Sequence, residues 1–191
     1  MPKTQIKRCI WPKDDPLMVA YHDTEWGVPC RDDQKLFEYV VLDTFQAGLS
    51  WQVVLRKREG FRRAFDNFNA AKIAKYSDKK LAKLIADPAI IRNKLKIKGT
   101  VKNAQAFLKI QREFGTFSKY LWNFVGDKPI IHKHKQTSEL GASSKESDAL
   151  SADLKKRGFT FVGTTICYAF MQGAGLVNDH LVSCFRYKNL T

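Results

Sequence analysis

DTFQAGLSW, residues 43–51, is the stretch around which the rest of the chain is organised. Apolar residues at helical spacing precede it, behind a candidate N-cap at Asp32 or Asp33, and predict a helix that runs into the stretch. Gly48 interrupts this pattern as a residue of a tight turn would, and Ser50 is a typical N-cap for a following helix. The stretch therefore predicts two helices joined by a short turn.

Two interpretations of this corner are open. A pocket that holds a flipped planar base needs a polar acceptor and an aromatic wall, which Asp43 and Trp51 can supply. A protein that opens a duplex needs an apolar wedge on a tight turn, which Leu49 can supply with Gln46 beside it. In the simpler interpretation the corner is ordinary and Leu49 and Trp51 belong to the core. Taken alone, the stretch favours the simpler interpretation.

Composition favours a folded protein with a polyanionic partner. The chain of 191 residues fits a single domain, residues 1–191, with 1–8 as a flexible basic lead-in. A net charge of +14 favours DNA, RNA or an anionic membrane, with nucleic acid as the leading candidate. We see no apolar run of membrane-spanning length and no secretory signal, so a cytoplasmic location is expected. In that reducing compartment the four cysteines are expected to be metal ligands or buried thiols.

Helical periodicity predicts an all-α fold, with no convincing alternating strand pattern. The predicted helices cover approximately residues 16–26, 32–46, 51–58, 61–66, 70–75, 78–86, 89–93, 118–124, 145–156, 163–174 and 178–186. A turn at 94–98 is predicted to lead into one further, longer helix that buries apolar residues from Ile97 to Leu108. Residues 126–144 are predicted to form a long polar loop, extended near 129–131, in which His132 and His134 face solvent.

Two cysteines and two histidines near the chain ends form a candidate metal set: Cys9, His22, His180 and Cys184. On the predicted last helix, His180 and Cys184 are four residues apart and share one face. Two Cys and two His make a closed tetrahedral zinc site with a structural role. Cys30 and Cys167 are rival ligands, and plain thiols at Cys9 and Cys184 explain the pattern equally well.

A basic segment lies on a predicted helix–hairpin–helix. It contains Arg92, Lys94, Lys96 and Lys98, and no acidic residue occurs between 89 and 112. Backbone N–H groups and cations in such a turn can hold DNA phosphates without reading sequence. A solvated charged face is the alternative, although the absence of acids and the net charge favour DNA binding.

Three motifs together resemble the 3-methyladenine DNA glycosylase I family. They are YHDTEWGVP at 21–29, QAGLSW at 46–51 and the run from Lys155 to His180, within a resemblance that extends from about residue 9 to 187. The resemblance implies an all-α enzyme of the helix–hairpin–helix DNA glycosylase superfamily. It also implies one structural zinc, held by the four candidate ligands, that joins the N- and C-terminal segments.

The resemblance also implies roles for individual residues. Trp11, Tyr21, Trp26 and Trp51 match the aromatic base pocket, and Gln46, Gly48 and Leu49 match the DNA-intercalating corner. The chain departs from the family at two positions. Asp43 stands where the family has a base-contacting Glu, and Met18 stands where a tyrosine is expected beside the pocket.

The implied function is excision of 3-methyladenine from alkylated double-stranded DNA, with Asp43 as the catalytic residue that accepts a hydrogen bond from the exocyclic amine; a monomer is the default expectation. The adenine methylated at N3 carries a positive charge and leaves as a neutral base, so flipping, recognition and exclusion of solvent are the main tasks. No lysine suits a Schiff base, so lyase activity is not expected. Three alternatives stay open: a non-enzymatic zinc-stabilised DNA-binding protein that senses alkylated bases, a zinc hydrolase with an open metal position, and a glycosylase with a shifted substrate.

Overall fold

Helices account for most of the secondary structure in residues 6–190, which are the residues described by this computed structural model. The α-helices are α1 Pro16–Thr24, α2 Asp33–Gln46, α3 Trp51–Ala64, α4 Ala70–Ile73, α5 Asp78–Ala86, α6 Lys94–Phe114, α7 Phe117–Trp122, α8 Lys145–Lys156, α9 Thr164–Gly173 and α10 Phe185–Asn189. Short 3-10 turns lie at Asp66–Phe68, Asn123–Val125 and Thr137–Glu139. None of the helices in this range is long and apolar enough to cross a bilayer. The prediction of a helical fold is confirmed.

Helix α2 is the central helix of the core. The side chain of Asp32 caps it by accepting a hydrogen bond from the backbone N–H of Lys35. Every residue from Leu36 to Phe45 is buried, so neighbouring helices cover α2 on all sides. Phe37 packs on a ring of α6 with centroids 4.8 Å apart, and Phe45 packs on a ring of α3 at 4.7 Å. Burial of each such side chain contributes about 1.5–3 kcal/mol.

Two predicted helix boundaries in the first half of the chain are wrong. Helix α3 continues through Gly60 to Ala64, so the separate helix predicted at 61–66 does not form. At Gly60 an added Cβ would lie 2.2 Å from the carbonyl oxygen of Ala89, so this glycine permits a close packing contact. The helix predicted at 89–93 is also absent, because Asn93 accepts hydrogen bonds from the first turn of α6 and starts that helix at Lys94.

The helix predicted at 178–186 is wrong as well. Strand β2, Val177–Asn178, pairs in parallel with strand β1, Ile130–Ile131, inside the long loop. A turn follows β2, and α10 begins only after Cys184. The expectation of extended chain near 129–131 is confirmed, whereas its partner strand was not predicted.

The N-terminal lead-in is only partly described. Residues 1–5 lie outside the described residues, so the prediction of flexibility is not tested there. Residues 7 and 8 are anchored instead of loose, because Arg8 forms an ion pair with Asp23 and the carbonyl of Lys7 accepts a hydrogen bond from the N–H of Phe185. The two ends of the described chain are therefore in direct contact.

Candidate active site and metal centre

A cavity of about 250 Å³ lies at the end of α2. Helices α1, α2 and α9, the start of α3, the segment before α1 and the long loop all contribute to its wall. The lining residues are Trp11, Met18, Tyr21, Trp26, Asp43, Gln46, Trp51, Thr137, Leu140, Ala169 and Gln172. Five of these were predicted as base-contacting residues, and Gln46 was predicted at the intercalating corner.

Aromatic rings form the main wall of the cavity. The rings of Trp11 and Trp26 meet edge to face with centroids 5.1 Å apart, and those of Tyr21 and Trp51 lie 5.2 Å apart. Such inclined ring contacts, one edge to face and one tilted, hold each ring in a fixed orientation. The structure thus brings together four aromatic residues that are up to 40 positions apart in the sequence (11 to 51). Together they form an apolar, ring-lined space suited to a flat ligand.

Asp43 places a carboxyl group in this apolar wall. The residue is 4% exposed, and burial raises the pKa of its carboxyl well above the usual value. Within the described residues, its Oδ2 atom has no hydrogen-bond partner, nor do the indole Nε1 atoms of Trp11 and Trp51. Buried polar atoms are normally paired, so three unpaired ones in residues of a single cavity wall indicate that a polar ligand completes the site.

The corner after Gln46 leaves an apolar side chain in solvent. Gly48 has φ +82°, in the region that favours glycine, and the side chain of Ser50 caps α3 by accepting from Val53 N–H. Leu49 is 43% exposed, whereas Trp51 lines the cavity. The interpretation of Leu49 as a core residue is therefore wrong, and the turn holds it away from the core.

The basic segment divides into exposed and buried residues. Arg92, Lys94 and Lys98 are exposed at or next to the start of α6. Lys96 is only 6% exposed, and its ammonium group donates hydrogen bonds to the carbonyl oxygens of Phe45 (3.1 Å) and Ala47 (2.6 Å). The assignment of Lys96 to the DNA-binding surface is therefore corrected: its charge is used inside the protein, at the end of α2.

The four predicted metal ligands converge in the interior. Their ligand atoms all lie within 4.8 Å of one another, and all four residues are buried. The sulfur of Cys184 lies 3.5 Å from Nε2 of His22 and 3.6 Å from Nδ1 of His180, which lies 3.7 Å from the sulfur of Cys9. Zinc bonds of about 2.3 Å to sulfur and 2.0–2.1 Å to nitrogen would separate such ligands by roughly 3.5 Å. The donor set and spacing therefore fit a tetrahedral zinc ion.

The surroundings of the two histidines fix which ring nitrogen faces the centre. Nδ1 of His22 lies 2.7 Å from the Asp23 carboxylate, and Nε2 of His180 lies 3.0 Å from the carbonyl oxygen of Trp26. Each imidazole can donate its N–H to that oxygen and keep its other nitrogen free as a metal ligand, which is the usual arrangement at metal-binding histidines. Trp26 belongs to both sites, because its carbonyl orients His180 and its ring lines the cavity.

The two cysteines of the cluster differ in charge, and zinc, which binds both as thiolates, would displace the proton of Cys9. The hydrogen bond between the two thiols raises the pKa of Cys9 and lowers the pKa of Cys184. Hydrogen bonds with the two histidines lower the pKa of Cys184 further. Cys30 and Cys167 lie outside the cluster, and burial raises the pKa of both thiols. His180 and Cys184 meet through the turn after β2 and not, as predicted, along one helix face.

The prediction that the two histidines of the long loop face solvent is wrong, because both approach a buried carboxylate. Nδ1 of His132 lies 2.5 Å from the buried carboxylate of Asp179, and His134 lies 3.3 Å from it. Asp179 also accepts hydrogen bonds from Tyr168 and from Gln172. These contacts fasten the loop that brings Thr137 and Leu140 to the cavity. No sequence pattern marked Gln172, Thr137, Leu140 or Ala169 as cavity residues.

Comparison with known proteins places this geometry in a family. The family model described as methyladenine glycosylase matches residues 11–187. DNA-3-methyladenine glycosylase 1 of Escherichia coli K12 is 48% identical over 182 residues, which cover 95% of this chain and 97% of the relative. DNA-3-methyladenine glycosylase of Haemophilus influenzae is 45% identical over 93% of this chain and 96% of its own length.

Solved structures agree with the sequence comparison. A crystal structure of 3-methyladenine DNA glycosylase I superposes with a TM-score of 0.91 at 46% identity and covers 94% of this chain and 98% of its own. A tyrosine-to-phenylalanine variant of such an enzyme, in complex with 3-methyladenine, superposes with a TM-score of 0.91 at 34% sequence identity. The match covers 93% of this chain and 96% of that structure's chain. The chain belongs to the methyladenine glycosylase family.

Proposed function

We infer that this chain is a DNA-3-methyladenine glycosylase, which flips 3-methyladenine out of alkylated double-stranded DNA and hydrolyses its N-glycosidic bond. The product DNA keeps an abasic site. One observation carries the proposal within the family: among residues 6–190, the Asp43 carboxyl has an unpaired oxygen and lies in an aromatic cavity whose lining includes no cation. A methylated base supplies that cation.

Recognition follows from the charge of the substrate. Adenine methylated at N3 is positively charged while it is attached to deoxyribose, whereas normal adenine is neutral. An aromatic face attracts a desolvated cation by about 2 kcal/mol, and Trp51 and Trp26 can provide such faces. Entry of the cation next to Asp43 favours ionisation of the carboxyl, which then accepts a hydrogen bond from the exocyclic amine. Normal adenine would leave the carboxyl without its counter-charge.

The same charge explains how the reaction proceeds with few catalytic groups. The base leaves as a neutral molecule, so the glycosidic bond is weak and little protonation of the leaving group is needed. The chain has to position the nucleotide, exclude solvent and stabilise the cation until water attacks the sugar. The part of the chain that the structure describes contributes no lysine to the cavity wall, so a covalent Schiff-base route and strand cleavage are not part of the proposal.

DNA is held and opened by the surface next to the cavity. Helix α5, the connection 87–93 and α6 act in this proposal as the helix–hairpin–helix, with Arg92, Lys94 and Lys98 at the phosphates. Leu49 fills the space left by the flipped nucleotide, and Gln46 lies beside it. The exposure of an apolar side chain on a glycine turn, at the cavity edge, supports this role.

The metal centre has a structural role in the proposal. Cys9, His22, His180 and Cys184 would hold one zinc ion, which would crosslink the two ends of the chain. Four protein ligands leave no position open for substrate or water, which argues against a zinc hydrolase. The chemistry of base release therefore rests on the cavity residues.

Identification of the reaction products tests the proposal. The purified chain is incubated with methylated duplex DNA, the released bases are separated and identified by mass spectrometry, and the DNA is assayed for abasic sites before and after alkali. We expect free 3-methyladenine and intact strands that break only on alkali treatment. Binding to the DNA without release of any base would support the non-enzymatic sensor instead, and release of another base would indicate a shifted substrate.

A further inference from the structure

Lys96 differs from its neighbours on the first turn of α6. Lys94 and Lys98 are exposed, while the Lys96 side chain runs into the protein and ends against helix α2. Its ammonium group donates to the carbonyl oxygens of Phe45 at 3.1 Å and Ala47 at 2.6 Å. A single lysine thus joins the basic segment to the residues on either side of Gln46.

The end of α2 needs such a partner. The last carbonyl groups of a helix have no N–H partner within the helix, and the negative end of the helix dipole favours a cation there. Lys96 supplies both hydrogen bonds and charge, although burial lowers the pKa of its ammonium. These two bonds hold the last turn of α2 immediately before the glycine turn.

The glycine turn itself has few contacts that could fix its position. A Cβ added at Gly48 would meet no atom within 4 Å, and Leu49 is largely in solvent. Within the turn, the N–H of Leu49 donates to the carbonyl of Gln46 at 2.6 Å, and Ser50 caps the next helix. The direction in which Leu49 points is therefore set mainly by the segments on which the turn is mounted, and Lys96 fixes one of them.

The other end of the lysine is equally well fixed. The side chain of Asn93 accepts hydrogen bonds from the N–H groups of Leu95 and Lys96, and the next residue, Ile97, is fully buried. The Lys96 backbone is therefore part of the rigid start of α6, next to the exposed cations Arg92 and Lys94.

We propose that Lys96 is a positioning residue that sets the distance and direction of the Leu49 turn relative to the phosphate-binding segment, so that DNA held by the segment meets the wedge in register. This inference rests on the proposed function. Lys96 touches neither phosphate nor base. We expect its loss to impair duplex opening more than base recognition, because the aromatic rings of the pocket are held by contacts with one another.

Duplex-selective loss of activity is the signature to measure. Single-turnover release of 3-methyladenine at saturating DNA is compared on methylated duplex and on the same methylated single strand for Lys96→Met, Leu49→Ala and the double variant. A misplacement of reacting groups by about 1 Å can lower a rate by on the order of 100-fold. We therefore expect Lys96→Met to lower the release rate by roughly tenfold or more on duplex and by about twofold or less on single strand. Lys128→Met is the matched control, because Lys128 is an exposed lysine outside the DNA-binding segment, and it should leave the rates on both substrates unchanged.

The double variant separates positioning through Leu49 from a general structural role. If Lys96 acts through the wedge, Lys96→Met should add about twofold or less to the loss already caused by Leu49→Ala, whereas independent effects would multiply. Equal losses on both substrates, or multiplied losses, would overturn the inference. Thermal unfolding and zinc content show whether each variant is folded, and Lys96→Gln, which keeps one donor group, takes the place of Lys96→Met if that variant does not fold.

The outcome for Leu49→Ala alone distinguishes two kinds of failure. If Leu49→Ala shows no preference for duplex, the wedge in the proposed function is wrong. If Leu49→Ala is duplex-selective and Lys96→Met is not, only the positioning role of Lys96 is wrong.

Discussion

Replacing Asp43 with asparagine should make the protein slower and, at neutral pH, more stable. The substitution keeps the size of the side chain and one acceptor oxygen but removes the ability to carry a negative charge. Hydrogen bonds to charged groups contribute about 1.5–3 kcal/mol, and each 1.36 kcal/mol is tenfold in rate. We therefore expect release of 3-methyladenine to fall by roughly tenfold to 150-fold.

The stability change follows from the direction of the pKa shift. Burial raises the folded-state pKa of Asp43 above its unfolded value, so the contribution of this carboxyl to stability is fully present below the unfolded pKa. It is lost as the pH rises through the folded pKa, because the unfolded chain ionises first. Asparagine has no such dependence. The stability of Asp43→Asn relative to the parent should therefore grow as the pH is raised from about 4 to 8.

Two assays on the same preparations test this reasoning. Single-turnover base release gives the rate, and thermal unfolding at a series of pH values gives the stability difference. The pH profile of kcat/KM reports groups of the free enzyme, so its acidic limb should lie above the usual range of an aspartate in the parent and vanish in the variant. Unchanged base release, or a stability difference that does not vary with pH, would refute the assignment of Asp43 as a buried recognition acid.

Three further predictions concern the wedge, the metal and the phosphate contacts. Leu49→Ala should lose on the order of tenfold or more on methylated duplex and much less on single strand, because duplex opening costs a few kcal/mol; equal losses would mean that Leu49 is not the wedge. Cys184→Ser should abolish zinc binding, measured by elemental analysis, and cooperative unfolding, whereas Cys167→Ser should retain both; a fully folded Cys184→Ser protein would contradict the structural role. Lys94→Ala with Lys98→Ala should weaken binding to all DNA sequences and reduce the slope of log affinity against log salt by roughly 2, at about 0.9 per phosphate contact; an unchanged slope would make the segment a solvated face.

Matched variants elsewhere on the surface serve as controls for these effects. Leu17, in α1, is 41% exposed and close to Leu49 in exposure, so Leu17→Ala should leave the duplex preference unchanged. Lys128 and Lys145 are exposed and lie outside the α5–α6 region, so removing both changes the net charge by the same amount. If that pair also reduced the salt slope by roughly 2, net charge and not the segment would explain the binding.

Helices with strong local signals were predicted well from the sequence. Asp15, Ser50 and Ser77 all cap the helices expected after them, because an N-cap acts through residues two or three positions away. Where tertiary packing decides, prediction failed. Gly60 disfavours a helix by propensity, but it lies within α3 because it permits close packing on Ala89. The helix predicted from residue 178 does not form because Val177 pairs with Ile130, a residue almost 50 positions earlier in the chain.

The candidate site shows the same division. Its aromatic residues and metal ligands were identifiable because their side-chain types are rare and their motifs are long. Lys96 was grouped with the surface cations because nothing in the sequence distinguishes a lysine that faces solvent from one that caps a distant helix. Thr137 and Leu140 were missed because the polar loop is held at the cavity by long-range contacts, among them the strand pairing with β2 and the approach of His132 and His134 to Asp179.

A crystal structure of the chain soaked with free 3-methyladenine tests the central claim most directly. We predict that the base lies in the cavity of about 250 Å³ at the end of α2, against the ring of Trp51, with its exocyclic amine within hydrogen-bond distance of the Asp43 carboxyl. A base bound elsewhere, or held in the cavity with Asp43 beyond reach, would contradict the claim that this carboxyl and these rings recognise the methylated base.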